Sequence, residues 1–269
     1  MPERSTAKPV TPHSILSSEL EKLCSELASA QISPQAKAHL DKCLDLAGGL
    51  DAYLDQVSSQ PSEQLAHLES ETRSTDWDGE FEKKETELHL EQEMISGGLE
   101  GQFLKLVVQI SQPKRVLEIG SFTGYSALAM AEGLPEGSQI TGCEYDPYAA
   151  EFARRHFERA GLSDRIKILE GDANESIANL GEVYDLVFID ADKQGYEGYY
   201  KALFNNGLVE SGSLILIDNS LYQGEVYSKK ELSENGHAVR KFNEFVAQDE
   251  RTSQVLLPLR DGVTLVRVN

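Results

Sequence analysis

Two short apolar runs each end in groups that bind hard cations. Leu186–Ile189 passes into Asp190-Ala191-Asp192-Lys193, and Leu214–Ile217 passes into Asp218-Asn219. Asp190, Asp218 and Asn219 offer three oxygen ligands, the set expected for Mg2+, with Ca2+ or Mn2+ as neighbouring choices; a zinc centre would draw on His or Cys. Water and a substrate oxygen would complete the coordination. A cation held there lowers the pKa of a bound hydroxyl and orients it. Lys193 sits beside that charge and is the candidate base: a lysine close to a cation can have a depressed pKa, so it could take the phenolic proton or stabilise the phenolate. The plainer reading of Lys193 is a surface lysine at a helix start.

A second group of polar residues follows three earlier runs. Arg115–Ile119 leads into Gly120-Ser121-Phe122-Thr123-Gly124-Tyr125-Ser126, with Glu118 inside the run and two glycines four apart that permit a tight turn and close backbone approach. The pattern is not GxGxxG, which a dinucleotide pyrophosphate would favour. S-adenosylmethionine has no phosphate, and its sulfonium tolerates nearby carboxylates such as Glu118. The next run, Ile140–Tyr145, brings Glu144 to where a carboxylate accepts hydrogen bonds from both ribose hydroxyls, and Ile166–Glu170 leads to Gly171-Asp172-Ala173, placed to meet an adenine edge. Each acid alone reads equally as a surface group or helix cap. Three in register at successive strand ends point to one ligand.

The elements that must position these groups alternate between short β-branched runs and helical stretches, the signature of a parallel sheet with crossover helices. Helix Gln102–Gln109 precedes the first strand. Helices are then expected at Tyr125–Glu132, Tyr148–Ala160, Glu175–Leu180 and Tyr196–Asn205, and the fifth strand at Ser213–Asp218. Helix His237–Ala247 is followed by Gln254–Pro258 and Val263–Val268, with Asp261-Gly262 as a hairpin signal, so an antiparallel hairpin closes one edge. Ligands of such sheets bind beyond the carboxyl ends of the strands, where all the residues named above fall. Before the sheet, residues 15–90 read as a helical extension: Leu16, Leu20, Leu23 and Leu27 recur at helical spacing, Ser33-Pro34 opens a second helix that stops at Gly48-Gly49, and Leu50–Val57 and Ser62–Arg73 suggest two more. Residues 1–14, polar and carrying Pro2, Pro9 and Pro12, are expected to be a disordered tail, and residues 91–269 the catalytic domain.

Composition narrows the function. The formal net charge is −20, and residues 1–93 hold 19 Asp/Glu against 8 Lys/Arg. A polyanion would be repelled, which disfavours nucleic acid as substrate. No apolar stretch approaches the roughly 20 residues needed to span a bilayer, and no apolar segment of a signal peptide follows the first residues, so a cytoplasmic address is expected. Cys24, Cys43 and Cys143 are far apart and are expected to be reduced and buried. The six histidines show no HExxH or other zinc spacing, and Asn174-Glu175-Ser176 is a chance sequon.

VLEIGSFTGYS, FIDADK, DNSLYQGEV and LPLRDGVTLVRV, in that order, resemble caffeoyl-CoA O-methyltransferase and its relatives, including catechol O-methyltransferase; the resemblance runs from about Ser62 to Asn269 and includes EGQFL at Glu100–Leu104. It implies a Rossmann-like class I methyltransferase: an α/β fold with a mostly parallel seven-stranded sheet, a C-terminal antiparallel hairpin and, in this chain, a helical N-terminal extension. It also implies S-adenosylmethionine as cofactor, a divalent cation, a small phenolic acceptor and a homodimer. By resemblance the catalytic residues are Lys193, Asp190 and Asn219; the metal ligands are Asp190, Asp218 and Asn219; Met94, Glu118, Gly120, Phe122, Ser126, Glu144, Asp172, Ala173 and Asp190 meet the cofactor. Ser96 replaces a usual threonine and Tyr222 a usual tryptophan, and the acidic segment before about Ser58 has no counterpart in the plant enzymes. Residues 1–60 hold no basic cluster for CoA phosphates, which favours a free phenol. Competing readings are a methyltransferase of a hydroxylated tRNA nucleoside, opposed by the acidic charge, a nicotinamide enzyme, opposed by the missing fingerprint, and a non-catalytic S-adenosylmethionine-binding scaffold, which would not need Lys193 beside three metal ligands.

Overall fold

The structure is a computed structural model and describes residues 8–269. Its N-terminal part is helical, and side-chain caps set where each helix begins. Helix α1 (Pro12–Leu27) starts earlier than the apolar spacing suggests, because Thr11 and Ser14 form a reciprocal capping box and Pro12 supplies a preset first turn. Of the expected tail, residues 1–7 lie outside the described residues, and in the remainder Lys8 pairs with Glu91 at 3.1 Å before Pro12 opens α1. Ser33 caps α2 (Pro34–Gly48), α3 covers Leu50–Val57, Ser62 caps α4 (Glu63–Ser74) and Asp76 caps α5 (Trp77–Glu82). A 3-10 turn at Gln92–Met94 leads into the core.

Helix α6 spans Gly97–Ser111, longer than Gln102–Gln109, because the Gly97-Gly98 pair forms its first turn instead of a break. Strands β1 (Arg115–Ile119), β2 (Gln139–Glu144), β3 (Ile166–Glu170), β4 (Leu186–Ile189) and β5 (Leu214–Ile217) then alternate with α7 (Tyr125–Gly133), α8 (Pro147–Arg159), α9 (Ala173–Ala178) and α10 (Tyr196–Asn205). After α11 (Glu234–Ala247), β6 (Thr252–Leu257) and β7 (Val263–Val268) form the closing hairpin. The sheet order is β3-β2-β1-β4-β5-β7-β6, with β1–β5 mutually parallel and β7 antiparallel to both β5 and β6. This is the α/β architecture expected, hairpin included.

Alternation along the strands divides the core into two layers. Val116, Ile140, Ile168, Phe188 and Leu216 pack with residues of α6, α7 and α8, while Leu117, Ile119, Val187, Ile189 and Ile217 pack with residues of α10 and α11. Both faces are covered, which is why these strands read as continuous apolar runs. The first three helices bury little: α1 and α3 have no buried residue, α2 only Ala47. Cys143 is buried as expected, but Cys24 is only partly covered and Cys43 is exposed on α2, a helix with no layer over that face. Among the described residues no helix is long and apolar enough to cross a membrane.

Candidate active site at the carboxyl edge of the sheet

Register places the chemistry. Ile119 of β1 pairs with Cys143 of β2 and with Ile189 of β4, and Ile189 pairs with Ile217 of β5, so Gly120, Glu144, Asp190 and Asp218 emerge along one edge. Strand order reverses between β1 and β4, the point where open α/β sheets bind ligands. There the chains approach so closely that a Cβ on Gly120, whose φ is +90°, would lie 2.1 Å from the Asp190 carbonyl oxygen. Only glycine fits.

The cofactor half is built on two buried carboxylates. Glu118 is fully buried, and each of its oxygens accepts a 2.5 Å hydrogen bond, one from Ser121 Oγ and one from Ser126 Oγ. Burial pushes its pKa up to about 7 despite those two donors. Glu118 thus braces the glycine turn from beneath. Glu144 accepts from the backbone N–H groups of Phe122 (2.6 Å) and Asp146 (2.9 Å), tying the turn after β1 to the end of β2, and burial raises its pKa. Phe122 holds a left-handed φ of 47° and packs against Trp77 of α5, with ring centroids 5.1 Å apart. Met94 is half-exposed and Ser96 buried at the start of α6. Asp172 is exposed and caps α9 through Asn174 N (2.7 Å), with Ala173 beginning that helix. The structure therefore brings Glu118, Gly120, Phe122, Ser126 and Glu144 together, and leaves Asp172 and Ala173 at the rim.

The other half surrounds Asp190 and Asp218. Lys193 Nζ lies 2.9 Å from Asp190 Oδ1 and donates to the Tyr196 hydroxyl at 2.8 Å; Tyr196 in turn donates to the Asp218 carbonyl at 3.1 Å. Asp218 is 4 % exposed and its Oδ1 is buried with no hydrogen-bond partner. Burial, with Asp190 adding repulsion, pushes its pKa up to about 7. Such an orphaned oxygen beside a second carboxylate and the Asn219 amide fits a divalent cation, which would satisfy all three. Burial lowers the Lys193 pKa, but Asp190, Tyr196 and Asp218 outweigh burial and hold the ammonium above its usual range; a cation on the same carboxylates would draw it back down.

Several residues here carry no sequence signal of their own. Asn219 Nδ2 donates to Asp261 Oδ2 at 3.3 Å, and Gln223 N donates to Asp261 Oδ1 at 2.6 Å, so the residue read as a hairpin turn braces the loop after β5. Glu100 of α6 is 2 % exposed and faces Arg260 at 3.5 Å, while its Oε1 has no partner. Burial and then Asp218 raise the Glu100 pKa well above the carboxylate range. Asn219, Tyr222 and Gln223 all adopt positive φ (52°, 42° and 55°), a concentration of backbone strain of the kind found at functional sites. A depression of about 450 Å³ lined by Lys114, Arg115 and Gln139 lies at the strand starts, the edge away from these groups.

Residues 74–269 match the sequence profile of the O-methyltransferase family. The chain is 36 % identical over 179 residues to a caffeoyl-CoA O-methyltransferase of Populus kitakamiensis, covering 62 % of this chain and 75 % of that protein. It is 33 % identical over 196 residues to one of Stellaria longipes, covering 69 % and 80 %. Among solved structures, the S-adenosylhomocysteine-bound methyltransferase of Podospora anserina superposes with a TM-score of 0.74 at 30 % identity, covering 84 % of this chain and 96 % of that one. An O-methyltransferase of Bacillus cereus, also bound to S-adenosylhomocysteine, gives 0.69 at 27 % identity, covering 82 % and 97 %. The glycine turn braced by Glu118 and Glu144 thus lies in a chain that belongs to the O-methyltransferase family and takes its methyl group from S-adenosylmethionine.

Proposed function

We propose that this enzyme needs a divalent cation, Mg2+ first, and methylates a hydroxyl of a small catechol-like or other phenolic acceptor, working as a homodimer. The observation that carries the cation is the buried, unpartnered Asp218 Oδ1 beside Asp190 and Asn219. When bound there, the cation supplies the charge that acidifies the acceptor hydroxyl. The caffeoyl group in the names of the relatives has adjacent phenolic hydroxyls, which such a site suits.

The residues of the chain divide the remaining work. Gly120 and the turn it permits let the backbone approach the cofactor, Glu118 and Glu144 hold that turn rigid, and Asp261 fixes Asn219. Lys193 stands at the strand end where the hydroxyl loses its proton as the methyl group arrives. Held 2.9 Å from Asp190, it serves as a donor to the acceptor oxyanion, one of the two roles its chemistry leaves open.

The test is chelation with a panel of catechols and free S-adenosylmethionine. EDTA should abolish turnover, and Mg2+ should restore it. Full activity after exhaustive chelation, or wild-type rates in Asp218→Ala, would refute the cation. Lys193→Ala should lower kcat by about 100-fold or more, and Lys193→Arg, which cannot act as a base, should recover part of it. An arginine variant as inactive as the alanine one would return Lys193 to the role of base.

A further inference from the structure

Away from the sheet edge, three potential ligands meet where the N-terminal segment packs on the core. His67 and Glu71 lie four residues apart on α4 and share one helix face, and His156 comes from α8. Glu71 Oε2 is 3.8 Å from His67 Nδ1 and 3.4 Å from His156 Nε2, and the three ligand atoms all lie within 4.8 Å of one another. Neither imidazole makes a hydrogen bond to that oxygen, and His67 Nδ1 is buried without any partner. Ligand atoms of a tetrahedral site with bonds of about 2.0–2.1 Å stand about 3.3 Å apart, so a small side-chain adjustment would seat one ion among the three.

The surroundings favour an ion that prefers imidazole. His156 is 5 % exposed, its ring stacked on Phe152 with centroids 5.0 Å apart, so its orientation is locked by packing. His67 and Glu71 are each more than a third exposed, which leaves an approach from solvent and room for a water as fourth ligand. We propose that His67, Glu71 and His156 form a second metal site, for Zn2+ or a similar borderline divalent ion, that pins α4 to α8. Two imidazoles with one carboxylate select such an ion over Mg2+, the reverse of the oxygen set at Asp190 and Asp218. The pin has a bearing on the cofactor turn, since Thr72, next to Glu71, hydrogen bonds Thr123 between their hydroxyls at 3.0 Å.

The test uses the full chain carrying Asp218→Ala, which disables the oxygen-ligand centre, with excess Mg2+ and added ZnCl2. Equilibrium dialysis should find one Zn2+ per chain, and His67→Gln or Glu71→Gln should weaken binding by at least about 10-fold, the loss that even an outer partner's removal causes. Both variants change half-buried side chains and carry less folding risk than replacing the buried His156. Co2+ in place of Zn2+ should give the visible absorption of a tetrahedral site, absent from both variants, and Zn2+ should raise the Tm of the parent only. No bound Zn2+ in the parent, or equal Zn2+ binding by parent and both variants, would overturn the proposal and leave a surface cluster held by packing alone.

Discussion

A carboxylate taken out of water must be paired, hydrogen-bonded or protonated, and the buried acids of this enzyme use all three routes. Glu118 has two hydroxyl donors, yet its pKa stands at about 7 because burial outweighs them. A carboxyl whose folded pKa is raised binds more protons folded than unfolded between its two values, so stability is greatest below about 4.5 and falls as pH rises to about 7. Denaturant titrations of the cofactor-free enzyme should lose about 3 kcal/mol across that window, and Glu118→Gln should remove most of the loss. A pH dependence identical in wild type and variant would show that Glu118 ionises as freely as a surface acid.

Three elements far apart in sequence meet around the loop after β5. The start of α6 contributes Glu100, the turn between β6 and β7 contributes Arg260 and Asp261, and β5 itself delivers Asp218 and Asn219. Arg260 also crowds Gly97, where a Cβ would lie 2.8 Å from its guanidinium, so the hairpin turn and the first turn of α6 are fitted together. Removing the cation of such a pair strands the acid. Arg260→Ala should cost about 1–3 kcal/mol, the range for leaving a buried polar group unsatisfied, because a Glu100 carboxyl with a raised pKa takes up a proton instead of standing as a bare charge. Glu100→Gln in the same chain should restore most of that stability, and a double variant as unstable as Arg260→Ala would mean that packing, not charge, links the two elements.

At the scale of the whole molecule, the first three helices stand apart from the well-packed core. Leu16 and Leu23 of α1, Leu46 of α2, and Tyr53 and Val57 of α3 remain exposed, so a single chain leaves these helices with apolar faces uncovered. Helix α1 packs on α2 and on the Tyr222–Tyr227 segment that follows Asn219, while α3 meets α6. This position suits both a rim for the acceptor pocket and a surface for a second subunit. Deleting residues 1–57 should raise the acceptor KM or shift acceptor preference and dissociate the proposed dimer, with S-adenosylmethionine affinity nearly unchanged because the proposed cofactor turn lies beyond Gly98. Light scattering and calorimetry on the truncated and full chains check both parts. Unaltered kinetics and mass after truncation, or a full-length chain that stays a 29.7 kDa monomer, would assign the segment neither role.

The sequence alone determined whatever depends on local order. Apolar runs ending in polar groups marked the five parallel strands, glycine spacing marked the turn after Ile119, and Glu144, Asp190 and Asp218 fall at or just past strand ends, because a strand delivers the residues at its end to a fixed edge of the sheet. Tertiary structure alone decided what depends on neighbours distant in the chain. Asp261 reads as a turn residue until β7 pairs with β5 and brings it to Asn219, and Glu100 has only its place in EGQFL, ahead of the expected helix, until Arg260 and Asp218 close around it. Lys193 reads as a residue beside one carboxylate until Tyr196 and Asp218 join Asp190 around its ammonium. His67 and Glu71 share a helix face, but their third partner, His156, lies 85 residues beyond Glu71 and enters only when α8 packs beneath α4. Contacts between elements set burial and electrostatic partners, and these have no periodicity for a sequence to display.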